Sequence, residues 1–432
     1  MAGDYTSVFG SRQSVVYRPW SFPLQLPTIR NKRSAIRTVD DRGERRRDLA
    51  LIIAGALLLR VLFCVLVFPA MAPQFGPGDD YDVIGRNLAA GNGYVADGVS
   101  AAAERLPLYP LLLAVGFLLA GDTAWPWQLA QCLAGALTCG LVFSTARPYA
   151  GRRGALGAAW LCALHPTLIL YTARPLTETL YTLLLLLLVR ALARRDWNPA
   201  AVGALLGVQL LVKSTGMLNL AALVPSLRSR QPGDLALVAL CVGAVLAPWA
   251  VWNLSTAGQS HLLSATGGRA LYHGLYISRH VSWTTPAADL NRDAELALRD
   301  ELADSGVAAN AGVVQRDRLA GVLARAWIDT HRSETVRLWL RNLALTWYLG
   351  RSRSSMLIHA LLHAALLAAA GVGSVRLWRA VPDARRLVSI AALLVIAYTA
   401  FHAAIQPAVR YILPVVPVAA LLAAGVGGTK KS

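Results

Sequence analysis

Apolar residues in this chain come in long runs. The stretch from Ala50 to Ala70 reads "ALIIAGALLLRVLFCVLVFPA", with one charge, Arg60. A bilayer crossing takes roughly 20 apolar residues, so this run predicts a transmembrane helix. Comparable runs cover 124–146, 154–173, 176–192, 235–252, 355–375, 387–405 and 411–427. The run 200–227 is too long for one upright span and is broken by "KSTG" at Lys213.

Basic links separate these runs: "RPYAGRR" (147–153), "RALARRD" (190–196), "RSR" (228–230), "RLWRAVPDARR" (376–386) and a terminal "KK". If 200–227 crosses twice, or enters and returns, all of them fall on one side, as the positive-inside rule demands. The pattern predicts an all-α polytopic protein of about ten crossings with both termini cytoplasmic. Residues 50–427 form the membrane domain, and 428–432 are a short cytoplasmic tail. Two loops face outward, loop one (71–123) and loop two (253–354). Loop one carries "RLPLYPLLLAVGFLLAG", too short and proline-bound for a comfortable span and suited to an interfacial helix. Loop two carries "DAELALRDELADSG" and "RDRLAGVLARAWIDTHRSETVRLWLRNLALTWYLG". Both read as amphipathic helices, the second with an aromatic end fit for the headgroup layer.

Composition agrees with the pattern. Of 432 residues 55% are hydrophobic and 15% charged, against roughly a quarter charged in soluble domains. The formal charge of +18 invites a nucleic-acid partner, but the cations lie in the leader and the links. No nucleic acid is expected. Residues 1–49 are mostly polar and do not read as a cleavable signal peptide; they predict a basic, largely disordered cytoplasmic arm. The five cysteines all fall in apolar runs, without metal-ligand spacing, and read as buried small hydrophobes.

The unusual charges are acidic. Asp79, Asp80 and Asp82, in "GPGDDYDVIGRNLAAGNGY", follow the first span directly. One Asp there serves as an N-cap for a short helix stopped by Gly91, but three exceed that need. A carboxylate beside apolar surface is raised toward neutrality, which suits a general base. Glu178 opens a span, with Arg174 one turn earlier as a candidate partner. Lys213 sits in the broken run, where irregular backbone must line protein or a wet cavity, and Glu178 is the acid that would balance it. Arg105 and Arg410 either snorkel or grip phosphate. Carboxylates and cations thus converge at the outer leaflet, fitting a lipid phosphate as leaving group.

The ordered succession "NLAAGNGY", "RLPLYP", "LTETL" after an "HP" turn, "GALLGVQLLVKSTG", "APWAVWN", "GGRALYHG" and "RYILPVVP" resembles the bacterial GT-C membrane glycosyltransferases. Within them it looks closest to the dolichyl-phosphate-mannose protein mannosyltransferase (family 39) and aminoarabinose-transferase types, over about 50–427. The resemblance implies inverting transfer of a sugar from a polyprenyl-phosphate donor to a protein, lipid or glycan acceptor outside the cytoplasm. It makes Asp80, or its neighbour Asp79, the general base, and it matches Glu178 to the acid that opens the fourth span. Arg105, Lys213 and Arg410 match cations near the donor phosphate. Tyr81, Tyr109 and Tyr411 flank these groups and are expected in the substrate pocket. Relatives often carry Arg where Trp252 stands in "PWAVWN", and loop two lacks a large folded domain. Asp79, Asp80 and Glu178 offer oxygen ligands to a divalent cation, but the cations beside them compete, and no cofactor is expected. The competing reading is a transporter or flippase for a phospholipid or glycan. It explains Lys213 but not the short acidic helix.

Overall fold

The computed structural model describes residues 29–75, 79–96, 104–227, 230–256, 263–264, 266–282, 287–307 and 312–428. Residues 1–47 form one compact unit and residues 48–432 another. The arm expected to be disordered is helical from Ile29, and its first 28 residues, like 429–432 of the tail, lie outside the described residues. Among the described residues the architecture is helical throughout, with no strand in the element order.

Helix α1 (Ile29–Leu62) runs on through a wide turn at Phe63–Val67 and stops at the prolines Pro69 and Pro73. Loop one then forms α2 (Tyr81–Ala89) and α3 (Leu108–Ala120), packed on each other; a Cβ at Gly85 would lie 2.9 Å from Leu113 Cβ. The spans expected at 124–146 and 154–173 share one helical stretch, α4 (Trp125–Leu164), broken where Gly151 takes φ 66° and ψ −174°. Only glycine adopts that backbone freely, so the turn inside "RPYAGRR" is set by one residue. The chain bends again by 120° between Pro166–Ala173 and α5 (Glu178–Leu192).

The broken run at 200–227 becomes α6 (Pro199–Val212) and a tight 3₁₀ segment, Ser214–Leu223, with extended backbone at Lys213 between them. Next comes α7 (Pro232–Ser255), the long apolar helix least buried in protein, with 11% of its apolar window covered. The last apolar helix, Val409–Gly427, is 78% covered and forms the centre of the bundle. Small residues make that possible. A Cβ on Gly373 would lie 2.1 Å from the carbonyl oxygen of Leu422, so only glycine lets the two backbones touch.

Loop two departs from expectation. It forms α8 (Gly267–His280), α9 (Ala287–Asp304), α10 (Val313–Thr330) and α11 (Arg332–Tyr348). The long amphipathic stretch is two helices, because His331 at φ −125° and ψ 44° breaks it. Their apolar faces pack into a small core of their own, with Tyr272, Leu275, Leu298, Leu302, Ala320, Ala324 and Leu338. Helix α11 still exposes Val336, Trp339, Leu340 and Leu343, spaced as one helical stripe suited to a membrane surface.

Two further spans, α12 (Arg353–Ala380) and α13 (Arg385–Ile405), lead back to the centre. Gly274 of α8 lies against the end of α13, where an added Cβ would sit 1.8 Å from the Ile405 carbonyl oxygen. Because that neighbour is backbone, Gly274→Ala is expected to lower the thermal unfolding midpoint of the purified protein, while Gly243→Ala, with open space around it, should not. Equal midpoints for the two variants would remove Gly274 as the clamp of loop two.

Candidate functional site

Three interruptions of regular helix meet at the loop-one end of the bundle. They are the short turn before α2, the bend before α5 and the break at Lys213. The first residues of the last apolar helix join them. Each presents a charge at a helix end, where backbone geometry leaves room for it.

The charges form a chain. Lys213 Nζ lies 3.0 Å from Glu178 Oε1, and Arg410 Nε donates to the same oxygen at 2.7 Å. The Arg410 Nη2 donates in turn to Asp79 Oδ2. Glu178 is fully buried, so its carboxylate depends on these two cations. Arg174, considered as its partner from sequence, is instead held over the Phe75 and Tyr171 rings, 4.8 and 5.9 Å from their centroids. The neighbouring pair is looser: Arg105 Nη2 stands 3.7 Å from Asp80 Oδ2.

Asp79 and Asp80 are adjacent but differ. Burial by itself would raise the Asp79 carboxyl, but the Arg410 charge and hydrogen bond, with Arg105 and Lys213 behind them, outweigh it. Asp79 is held below the usual carboxylate range. Asp80 occupies the N-cap position of α2, yet its side chain makes no capping hydrogen bond, which corrects the N-cap expectation. Its side chain is 51% exposed, and its φ of 62° is the one positive value outside glycine among the described residues. Strained backbone of this kind persists where the surroundings impose it, and often at functional sites.

Aromatic rings wall the cluster. Tyr81 and Tyr109 meet edge to face at 5.4 Å, and Arg105 lies over Tyr81. Burial pushes the Tyr81 hydroxyl up to about 12, so it stays a neutral donor. Tyr411 carries Lys213 at 5.5 Å and Arg410 at 5.8 Å from its ring centroid, with His402 stacked at 5.1 Å. All nine residues singled out from sequence as site candidates therefore lie in one connected group. Trp252, at the position where the resemblance leads one to expect Arg, stacks on Trp249 and meets Tyr94 edge to face, and the Tyr94 hydroxyl donates to the Arg105 carbonyl oxygen. Among the described residues no three His, Cys, Asp or Glu side chains are placed to share a metal ion.

Sequence reasoning missed the buried supports. Gln209 and Asn219, on either side of the Lys213 break, are bonded at 2.5 Å, and Asn219 also bonds Tyr181 and Tyr398. This network staples the two arms of the break and so aims Lys213 at Glu178. At the "HP" turn, His165 Nδ1 accepts the Leu168 N–H and its Nε2 lies 3.1 Å from His363 Nε2, whose Nδ1 faces the Trp347 carbonyl oxygen at 2.6 Å. One tautomer assignment satisfies all three bonds with both rings neutral. Arg60 is buried and donates to the carbonyl oxygens of Cys162 and Ala163, at a helix C-terminus. Polar letters inside apolar runs were the available signal. On the loop-two side, Glu295 Oε2 lies 3.2 Å from His273 Nε2 and accepts from Arg269, neighbours that hold its carboxyl down to about 2, and Arg269 also reaches Glu104, next to Arg105.

The Asp79 pairing has a pH signature. A carboxyl whose folded-state pKa is depressed adds stability above its unfolded value, and loses it as pH falls through the folded value. The stability gap between the protein and Asp79→Asn should therefore stay constant down to about pH 5 and close only below about pH 4. Thermal unfolding across that range checks it; a gap that widens on acidification would contradict the pairing.

The all-α architecture, with six helices among the described residues long and apolar enough to cross a membrane, is that of a multi-pass membrane protein. Residues 104–252 match the family described as dolichyl-phosphate-mannose-protein mannosyltransferase. Among solved structures, ArnT from Cupriavidus metallidurans bound to undecaprenyl phosphate aligns with 88% of this chain at a TM-score of 0.53 and 18% identity. The apo state of the same protein aligns at a TM-score of 0.49 and 18% identity over 82% of this chain and 55% of that one. This chain spans 59% of the length of the lipid-bound ArnT chain, and at 18% identity the likeness is one of fold. No curated protein matches it by sequence.

Proposed function

We propose that this protein is an inverting glycosyltransferase. It moves a sugar from a polyprenyl-phosphate donor onto an acceptor on the extracytoplasmic face, with both termini in the cytoplasm. The observation that carries the reading is the ion-pair chain Asp79–Arg410–Glu178–Lys213, seated where loop one meets the broken helices of a GT-C fold. The family match over 104–252 and a fold relative that holds undecaprenyl phosphate support the donor class.

In this scheme the donor phosphate docks against Arg105, Lys213 and Arg410. Asp80 accepts the proton of the acceptor hydroxyl as its oxygen attacks the anomeric carbon from the opposite face. The bond from that carbon to the phosphate oxygen breaks, and its electron pair leaves on polyprenyl phosphate. One displacement inverts the sugar. The cations stabilise the charge gathering on the leaving phosphate, the usual largest contribution in such reactions. Asp80 suits the base role better than Asp79, because a carboxylate clamped by Arg410 is a weak proton acceptor. No step in this scheme requires a metal ion.

The test is incubation of purified protein in lipid vesicles with a panel of polyprenyl-phosphate sugars and membrane extract as acceptor. Release of polyprenyl phosphate with inverted sugar on an acceptor is the expected result. Transport of the intact lipid without release would establish the flippase reading instead.

A further inference from the structure

The cations given to the donor phosphate all sit beside carboxylates. Lys213 and Arg410 share Glu178, Arg410 also holds Asp79, and Arg105 faces Asp80. Their charges nearly cancel, so the cluster offers an incoming anion little net attraction. Two arginines beside it differ. Arg174 lies 4.8 Å and Arg351 4.9 Å from the centroid of the same ring, Phe75. Neither has a carboxylate within ion-pair distance among the described residues. Arg174 is half-buried, lies over Tyr171 as well, and is within electrostatic reach of Asp79, Glu178 and Arg410. Arg351 is exposed and donates to the Gln74 carbonyl oxygen.

Two like charges on one ring repel each other, and ring faces attract cations too weakly to balance two full charges near an apolar surface. A snorkelling arginine would lead its head into water, as Arg351 alone could do; Arg174 instead spends its guanidinium on two rings beside the site. Positive charge without a carboxylate at ion-pair distance, beside apolar surface, attracts anions. Phe75 ends the first span, a few residues before Asp79, so a lipid lying along that span brings its headgroup to this ring.

We propose that Arg174, Arg351 and Phe75 form a capture site for the phosphate of a polyprenyl lipid, next to the charge-balanced cluster and feeding it. The assignment rests on the polyprenyl-phosphate reading above. The site holds the headgroup first, and the phosphate then displaces a carboxylate from the paired cations. After transfer the leaving lipid phosphate carries one more negative charge than the donor, and this pair is placed to draw it out of the cluster.

The test uses the full-length protein in detergent with farnesyl phosphate as probe and inorganic phosphate as the comparison, binding being read by calorimetry. Wild type should bind farnesyl phosphate with no competition from inorganic phosphate. Arg174→Gln combined with Arg351→Gln should weaken binding roughly tenfold or more, as loss of charge-assisted bonds does, and the double Lys variant should recover most of it. Arg351→Gln alone, on an exposed residue, gives a smaller loss without risk to folding. Unchanged affinity in both Gln variants would overturn the site. Equal binding of inorganic phosphate, lost in the same variants, would overturn the lipid assignment. If farnesyl phosphate binding depends on both arginines while no lipid-linked sugar is ever turned over, the capture site stands and the transferase reading falls.

Discussion

Asp80→Asn is expected to lower sugar transfer by about a hundredfold to ten-thousandfold, the usual contribution of a positioned general base. Donor binding should be nearly unchanged, because the side chain is half exposed and its nearest cation, Arg105, stands at 3.7 Å. The loss should therefore appear in kcat, with the KM for donor preserved. Asp79→Asn should behave differently. It removes a direct partner of Arg410 from a partly buried pair, so donor affinity and stability should change along with rate. Steady-state kinetics of the two variants, on protein shown folded by thermal unfolding, separates the roles. Should Asp79→Asn be the variant that loses kcat at constant KM, the base is Asp79; should neither lose rate, the general-base mechanism is wrong.

How such a site could be read from a single chain depends on the residue. Runs of apolar letters and their basic links gave the helical membrane fold, because a bilayer forces both. Lys213 and Glu178 were visible for the same reason: a charge in an apolar run is costly, so each pointed to the other, and they do pair at 3.0 Å. Arg174 was misread because helical spacing suggested a partner for Glu178, whereas the 120° bend ahead of α5 carries it away. The bend lies in φ and ψ around a few residues, which hydropathy does not encode.

Gln209, Asn219, Tyr181 and Tyr398 were illegible as a group for a related reason. Each is an unremarkable letter in its own run, and the network exists only after the chain has doubled back at Lys213. Loop two shows the opposite failure. Its amphipathic periodicity was plain, but periodicity does not say what covers the apolar face. Much of that face was covered by neighbouring helices, while α11 left a stripe exposed. The left-handed backbone at Asp80 had no signal beyond residue type, since Asp tolerates that conformation more often than most residues.

Glu178→Gln is expected to be the most destabilising single change at the site. The native carboxylate is fully buried and accepts from Lys213 at 3.0 Å and Arg410 at 2.7 Å. Removing its charge takes the carboxylate partner from Lys213 and leaves Arg410 with Asp79 alone, and breaking a buried pair from one side costs about 3–5 kcal/mol. That is enough to drop the unfolding midpoint by many degrees and to lower the yield of folded protein. The cause can be separated from lost packing. Adding Lys213→Met to Glu178→Gln removes the stranded cation and replaces it with an apolar side chain of similar length, and should restore part of the loss. The double variant should nevertheless remain inactive, because the phosphate has lost a ligand. If the two changes were simply additive in unfolding, the pair would not be coupled and Lys213 would be held in place by something other than Glu178. Coupling would instead mean that the break in the 200–227 segment owes its position to a charge it shares with α5. The electrostatics proposed to stabilise the leaving group would then also hold the re-entrant backbone in place.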